Sequence, residues 1–265
     1  MSQSKMGPCV KWAGGKGQLV EKIISRSPSR YNDYYEPFIG GGAVLFELKP
    51  RKAYICDINE QLINMYLQLK ADARAVIRVI RTIDETPCNQ DYYLEMREKY
   101  NQKIINHELD AECAGLMIWI NKHCFNGLYR VNSKGLFNVP VGKYKNPRIL
   151  DATNLREVSK ALQCATVLQT DFASALDYVN SDTFVYYAPP YRPINASSFN
   201  SYAVGDFDDN EQRRLKDVFA KADKLGSLQM LSNSDPTNYN PKDMFFDSLY
   251  RDYKIHRITH KWGER

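Results

Sequence analysis

The stretch Tyr34-Tyr35-Glu36-Pro37-Phe38-Ile39-Gly40-Gly41-Gly42-Ala43-Val44-Leu45-Phe46 constrains the chain more than any other. Tyr34, Tyr35 and Phe38 favour a strand. Three successive glycines let the backbone turn tightly and approach a ligand, and Ala43 to Leu48 then resumes helical spacing. Strand, glycine turn and helix in succession belong to an open α/β sheet, whose ligands bind at the carboxyl ends of the strands. Ala53-Tyr54-Ile55-Cys56-Asp57 follows as a second strand ending in a carboxylate, which suits the ribose of a nucleoside. The turn has neither G-x-G-x-x-G spacing nor a G-K-[ST] ending, and Glu36 beside it would repel phosphate. A nucleoside without phosphate, such as S-adenosylmethionine, fits better. A bare αβ turn with no ligand fits the same residues.

The 265 residues suffice for one large domain or a domain with an insert. Eighteen tyrosines and eleven phenylalanines can fill a large core. No apolar run reaches transmembrane length, and Met1 to Pro8 has no apolar export core, so the expectation is a cytoplasmic protein without a membrane partner. The cysteines show no C-x-x-C pair and read as free thiols. His256 and His260 lack a third ligand, so no metal is expected. A net charge of +5 hints at a polyanionic partner.

Along the chain, Lys11-Trp12-Ala13-Gly14-Gly15-Lys16-Gly17-Gln18 reads as a binding loop before a helix at Gln18 to Ser25. A further helix spans Glu60 to Lys70. From 71 to 165 the strand–helix alternation gives way to helices at Ala73 to Ile83, Gln90 to Tyr100 and Asp110 to Lys122, a candidate inserted domain. Within it, residues 125–145 form a basic hairpin: Tyr129 to Val131 and Leu136 to Val139 flank Asn132-Ser133-Lys134-Gly135. Arg130, Lys134, Lys143 and Lys145, with Asn126, Asn132 and Asn138 and no acid, suit phosphates and base edges, although a solvated basic hairpin reads the same way. Strands return at Thr166 to Thr170 (before Asp171-Phe172), at Thr183 to Tyr187, at Ser227 to Leu231 and at Tyr253 to Ile258, with helices at Glu211 to Ala222 and Asp243 to Tyr250. Tyr191 to Phe207 reads as a lid or substrate loop.

The fourth strand runs into Ala188-Pro189-Pro190-Tyr191. Two prolines stiffen the backbone and leave carbonyl acceptors without N–H donors, beside an aromatic face. That combination suits a flat ring with an exocyclic amine; a rigid turn with a packed tyrosine is the plainer reading.

Taken in order, Lys11-Trp12-Ala13-Gly14-Gly15-Lys16, Glu36-Pro37-Phe38-Ile39-Gly40-Gly41-Gly42, Asp57-Ile58-Asn59, Phe125-Asn126-Gly127-Leu128-Tyr129-Arg130, Phe137-Asn138-Val139-Pro140, Ala188-Pro189-Pro190-Tyr191 and Leu231-Ser232-Asn233 resemble the motifs of Dam-type DNA adenine-N6 methyltransferases, restriction-modification methylases included. The resemblance runs from about Cys9 to about His260. It implies an α/β, Rossmann-like methyltransferase core of seven strands, at 9–70 and 166–265, with a helical target-recognition insert at 71–165. By resemblance, Trp12, Lys16, Phe38, Gly40, Asp57, Asp171 and Phe172 line the S-adenosylmethionine site, with S-adenosylhomocysteine as product. Lys11, Asn126, Leu128, Arg130, Asn132, Pro140 and Lys143 fall where family members touch duplex DNA at a short palindrome, often GATC. Tyr191 would stack on an adenine flipped from the helix. The implied partners are double-stranded DNA, bound by a monomer, and a cognate restriction endonuclease acting on the same site.

Two departures matter. Family members carry Asp-Pro-Pro-Tyr, and here residue 188 is alanine. The aspartate and the Pro189 carbonyl together accept the two hydrogens of a weakly nucleophilic amine. Losing one such acceptor costs about 3 kcal/mol of transition-state stabilisation, so the expectation is a chain that binds cofactor and DNA but methylates poorly. The alternative is a non-catalytic DNA-binding relative. An RNA or protein-glutamine methyltransferase is a third reading, disfavoured by the basic hairpin. The second departure is the ending Lys261-Trp262-Gly263-Glu264-Arg265, where family members continue into a final strand; a missing or shortened seventh strand is expected.

Overall fold

The computed structural model describes residues 6–144, 147–192 and 207–258. Five strands make one parallel sheet: β1 (Asp33–Glu36), β2 (Ala53–Asp57), β3 (Ala165–Gln169), β4 (Thr183–Tyr187) and β5 (Leu228–Leu231). Their order is β3-β2-β1-β4-β5. The chain therefore builds outward from β1, crosses back, and continues on the other side. Loops leaving β1 and β4 diverge, and such a reversal opens a crevice at the carboxyl edge of the sheet. This is an α/β fold of the Rossmann-like kind.

The central strands β1, β2 and β4 are short and largely buried because both faces are covered, whereas the edge strands β3 and β5 are partly exposed. Tyr34, Ile55 and Tyr186 face one buried cluster. Tyr35, Cys56, Val185 and Tyr187 alternate onto the other. The first face carries α1 (Val20–Ile24), α2 (Ala43–Leu48), α3 (Glu60–Asp84), α4 (Gln90–Ile105), α5 (Ala111–His123) and α6 (Ala152–Ala161). The second is covered by α7 (Asp209–Lys224) through Leu215, Val218, Phe219 and Ala222. A short α8 (Phe245–Leu249) follows.

Local chemistry explains the boundaries. Asn59, Asn89, Asp110, Asp151 and Asp208 cap α3, α4, α5, α6 and α7 by accepting backbone N–H bonds. Asp72 breaks α3 with φ −153° and ψ 86°, and its carboxylate accepts from Arg74 N and Ala75 N at 2.9 and 3.2 Å. The sequence placed two helices there, and Asp72 is the joint between them. Gly115 lets α5 lie against α3: a Cβ there would meet Val79 Cγ1 at 2.6 Å.

Several expectations need correction. Among the described residues the sheet has five strands, where the sequence placed six and the resemblance implied seven with the last missing or shortened. Residues 254–258 are not in a strand; Arg257 instead ties this segment down through Asp235 and Asp247 at 2.9 and 2.7 Å. The first helix is shorter than Gln18 to Ser25, and α6 was not anticipated. The basic hairpin is held by two isolated bridges, Cys124 to Val141 at its base and Val131 to Phe137 within it, rather than by strands. Most of the candidate lid, together with Lys145, His260 and the 261–265 ending, lies outside the described residues.

Candidate active site and nucleic-acid interface

The glycine turn after β1 is built for close approach. Gly40 and Gly42 take φ +46° and +75°. A Cβ on Gly40 would stand 2.9 Å from Trp12 Cδ1, so only glycine lets the indole cover the turn. Gly40 N donates to Asp57 Oδ2 at 3.2 Å, and Gly40 O accepts from the Tyr66 hydroxyl at 2.8 Å. Burial pushes the Asp57 carboxyl up to about 6, against the backbone N–H groups of Asn59, Gly40 and Ile58.

Beside the turn a glutamate and a lysine are buried close enough to influence each other's protonation. Glu36 is 2% exposed and accepts from the Tyr34 hydroxyl at 2.7 Å. Burial raises it to about 8, opposed by that hydrogen bond and by Lys16. Lys16 is 5% exposed, and its Nζ donates to Gly14 O at 2.6 Å. Burial lowers the ammonium to about 8, opposed by Glu36. Lys16 Nζ also stands 4.4 Å from the centroid of the Tyr191 ring, a cation–π contact. One lysine thus links the amino-terminal loop to the loop after β4.

At the end of β3, Phe172 stacks on Phe38 with centroids 5.3 Å apart. Asp171 receives both ends of the Arg214 fork, at 2.7 Å each, and Ala173 N at 2.9 Å. The Arg214 guanidinium holds this carboxyl below its ordinary range.

At the end of β4, Tyr187 O accepts from Ser232 N at 2.9 Å, which fixes where residue 188 begins. Ala188 is half-buried against the main core. Gln212, fully buried, donates to Pro190 O at 3.1 Å and accepts from Asn233 Nδ2 at 3.1 Å. Arg192 bonds Asp209 and Asp243, each at 2.6 Å. Tyr191 is therefore held from both sides. Neither Gln212 nor Arg214 carried a local sequence signal, because each acts through a partner more than twenty residues away.

The basic hairpin meets the amino-terminal loop. Asn121 accepts from Lys11 N at 2.7 Å and donates to Lys11 O and Gly127 O at 2.9 and 3.1 Å. Lys11 Nζ lies 4.7 Å from the Tyr144 ring centroid. Trp12 stacks on Tyr129 at 5.0 Å, so the indole touches both the glycine turn and the hairpin. Lys11, Asn126, Asn132, Pro140 and Lys143 are exposed, while Leu128 and Arg130 are half-exposed. Arg130 Nε donates to Asn138 Oδ1 at 2.7 Å. Asn132 Oδ1 accepts from Lys134 N and Leu136 N at 2.9 and 3.1 Å, so its acceptor is spent on the turn.

The seven residues that the resemblance assigns to a cofactor fall at the carboxyl edge of β3, β2 and β1 or on the amino-terminal loop that packs on the glycine turn. Among the described residues no group of three His, Cys, Asp or Glu side chains is placed to hold a metal, and no helix is long and apolar enough to cross a membrane. All six cysteines are free thiols.

A parallel sheet with a glycine turn and a strand-end acid on one side of its switch point, and a proline-tyrosine loop on the other, defines a Rossmann-like fold of the methyltransferase kind. A family model of D12 class N6 adenine-specific DNA methyltransferases matches residues 12–262. Among curated relatives, the type II methyltransferase M.MjaIII of Methanocaldococcus jannaschii is 41% identical over 270 residues, covering 96% of this chain and 91% of that protein. The type II methyltransferase M1.LlaDCHI of Lactococcus lactis subsp. cremoris is 39% identical over 254 residues, covering 95% and 87%. A DNA adenine methylase of Haemophilus influenzae is 30% identical over 256 residues, covering 96% and 87%. The chain belongs to the D12 class N6 adenine-specific DNA methyltransferase family.

Proposed function

We propose that this chain is built to move a methyl group from S-adenosylmethionine to N6 of adenine in duplex DNA, at a short palindrome of the GATC kind, with Ala188 holding turnover low. The observation that carries the reading is the order of groups along the sheet edge. Asp171 and Phe172 lie at β3, Asp57 at β2, the glycine turn at β1, and Pro189 to Tyr191 at β4. Three interstrand steps span about 14 Å, the scale of an extended nucleoside with its methionine arm. Aromatic faces, a carboxylate, a glycine cradle and a buried ammonium occur in the sequence that purine, ribose, methionine backbone and carboxylate need. S-adenosylmethionine supplies an activated methyl on sulfur when bound.

The chain's own residues do the rest. Asp57 grips the ribose hydroxyls, and Trp12 and Gly40 shape the turn against the cofactor. Tyr191 offers its ring to the flipped adenine, and Pro189 O accepts one amine hydrogen. A purine stacked on the face that Lys16 covers displaces that ammonium. The exposed hairpin residues and Lys11 contact the duplex from a helical insert at 71–165, with the core at 9–70 and 166–265. The chain works as a monomer on DNA, in the cytoplasm, without metal; a cognate endonuclease reading the same site fits the restriction-modification names of its relatives.

Ala188 favours a second reading, a DNA-binding relative that retains cofactor affinity and has no turnover. Calorimetric titration of S-adenosylhomocysteine, followed by duplex binding across a panel of palindromes with cofactor present, tests what both share. Cofactor-dependent preference for one palindrome is expected. Indifference to both the cofactor and duplex DNA refutes both.

A further inference from the structure

Arg214 on α7 lies outside every motif described above, yet four of its five guanidinium N–H groups are engaged at the β3 end of the cleft. Nη1 and Nη2 reach Asp171 Oδ1 and Oδ2 at 2.7 Å each. Its Nε and Nη2 bond Glu211 at 3.1 and 2.7 Å, which braces the fork from behind. The plane lies 3.9 Å from the Phe172 ring centroid. One side chain therefore sets the rotation of the Asp171 carboxylate and backs the aromatic wall made by Phe172 and Phe38.

A carboxylate offers about four lone-pair directions. Oδ1 accepts from Arg214 and from Ala173 N. Oδ2 accepts from Arg214; the Ala173 and Phe172 N–H groups both support the carboxylate, but the direct backbone bond is the one from Ala173 N to Oδ1, so Oδ2 keeps a direction for one more donor. The fork thus leaves an acceptor beside the stacked Phe38–Phe172 pair, which suits the 6-amino group of a purine and disfavours a 6-oxo group.

We infer that Arg214 is a positioning residue that makes the cleft select adenine over hypoxanthine in the bound nucleoside, by orienting Asp171 against the Phe172 wall. This rests on the reading of the β3 end as the purine end of the cofactor site. A site built around one hydrogen bond rejects an analogue that lacks the donor, because its acceptor is left unpaired.

The test is calorimetric titration of the full chain with S-adenosylhomocysteine and with its deaminated analogue S-inosylhomocysteine, without DNA. The parent binds the inosyl compound at least tenfold more weakly. Arg214→Met keeps an apolar stem over Phe172 and removes the fork; it brings the two affinities within threefold of each other. Arg214→Lys keeps the charge without the planar fork and gives the same collapse, since orientation rather than charge makes the selection. Thermal melting confirms that each variant is folded. A merely structural role weakens both ligands by one factor and leaves their ratio unchanged, which overturns the inference. A parent that binds neither compound removes the cofactor reading and this inference with it. A parent that binds both equally refutes the inference alone.

Discussion

Restoring the missing acceptor is the most informative perturbation. Residue 188 leaves β4 on the side of the sheet that carries Tyr186, because side chains alternate along a strand and Ala188 packs on the same cluster as Tyr34 and Tyr186. Glu36, bonded to Tyr34, lies on that side too. Ala188→Asp therefore places a carboxylate near the buried Lys16–Glu36 pair and next to Pro189. As a second acceptor for the adenine amine it supplies about 3 kcal/mol in the transition state, or roughly 150-fold in rate. The added carboxylate is partly desolvated at this half-buried position, so folding stability should fall by about 1 kcal/mol at neutral pH, offset in part by Lys16. The assay is single-turnover transfer of tritiated methyl from S-adenosylmethionine to a cognate duplex, which isolates the chemical step from product release. The revertant is expected to exceed the parent by a hundredfold or more with unchanged cofactor affinity. If both bind cofactor and duplex yet their rates agree within threefold, the argument that residue 188 limits the chemistry is wrong.

Other outcomes follow from the same geometry. Gly40→Ala forces a left-handed residue, about 1–2 kcal/mol, and drives a methyl into Trp12; cofactor affinity should drop at least tenfold by calorimetry, whereas Gly17→Ala, with open space around it, should leave it unchanged. Glu36 holds its proton up to about 8 in the folded chain against an ordinary 4.5. The folded state therefore binds more protons across that window, and stability present below 4.5 is lost as pH rises through 8. Urea titrations between pH 5 and 8 should show that decline, and Glu36→Gln should flatten it. Lys143 is exposed at the end of the hairpin, so Lys143→Ala should lower the slope of log affinity against log salt by about 0.9 if it meets a phosphate; an unchanged slope assigns it elsewhere.

Residues 34–46 reveal their strand, turn and helix by themselves because glycine's left-handed freedom and strand-forming aromatics act over a few neighbours. The capped starts of α3 and α5 and the Asn132 turn are legible for the same reason, since their hydrogen bonds span two to four residues. The resemblance of ordered motifs extended that local reading to a family. Tertiary structure alone decided the rest. The strand order, with its reversal between β1 and β4, depends on pairings more than a hundred residues apart, such as Tyr35 with Val185. Residues 254–258 have strand-like composition but find no neighbouring strand among the described residues, and a strand without a ladder does not form. Burial turned Lys16 and Glu36 from a loop lysine and a phosphate-repelling acid into buried neighbours that influence each other's protonation beside the glycine turn. Gln212 and Arg214 gained their roles only when α7 packed beneath the loops it braces. What a side chain does to its own backbone is written locally; what it does to a distant one depends on which surfaces the core brings together.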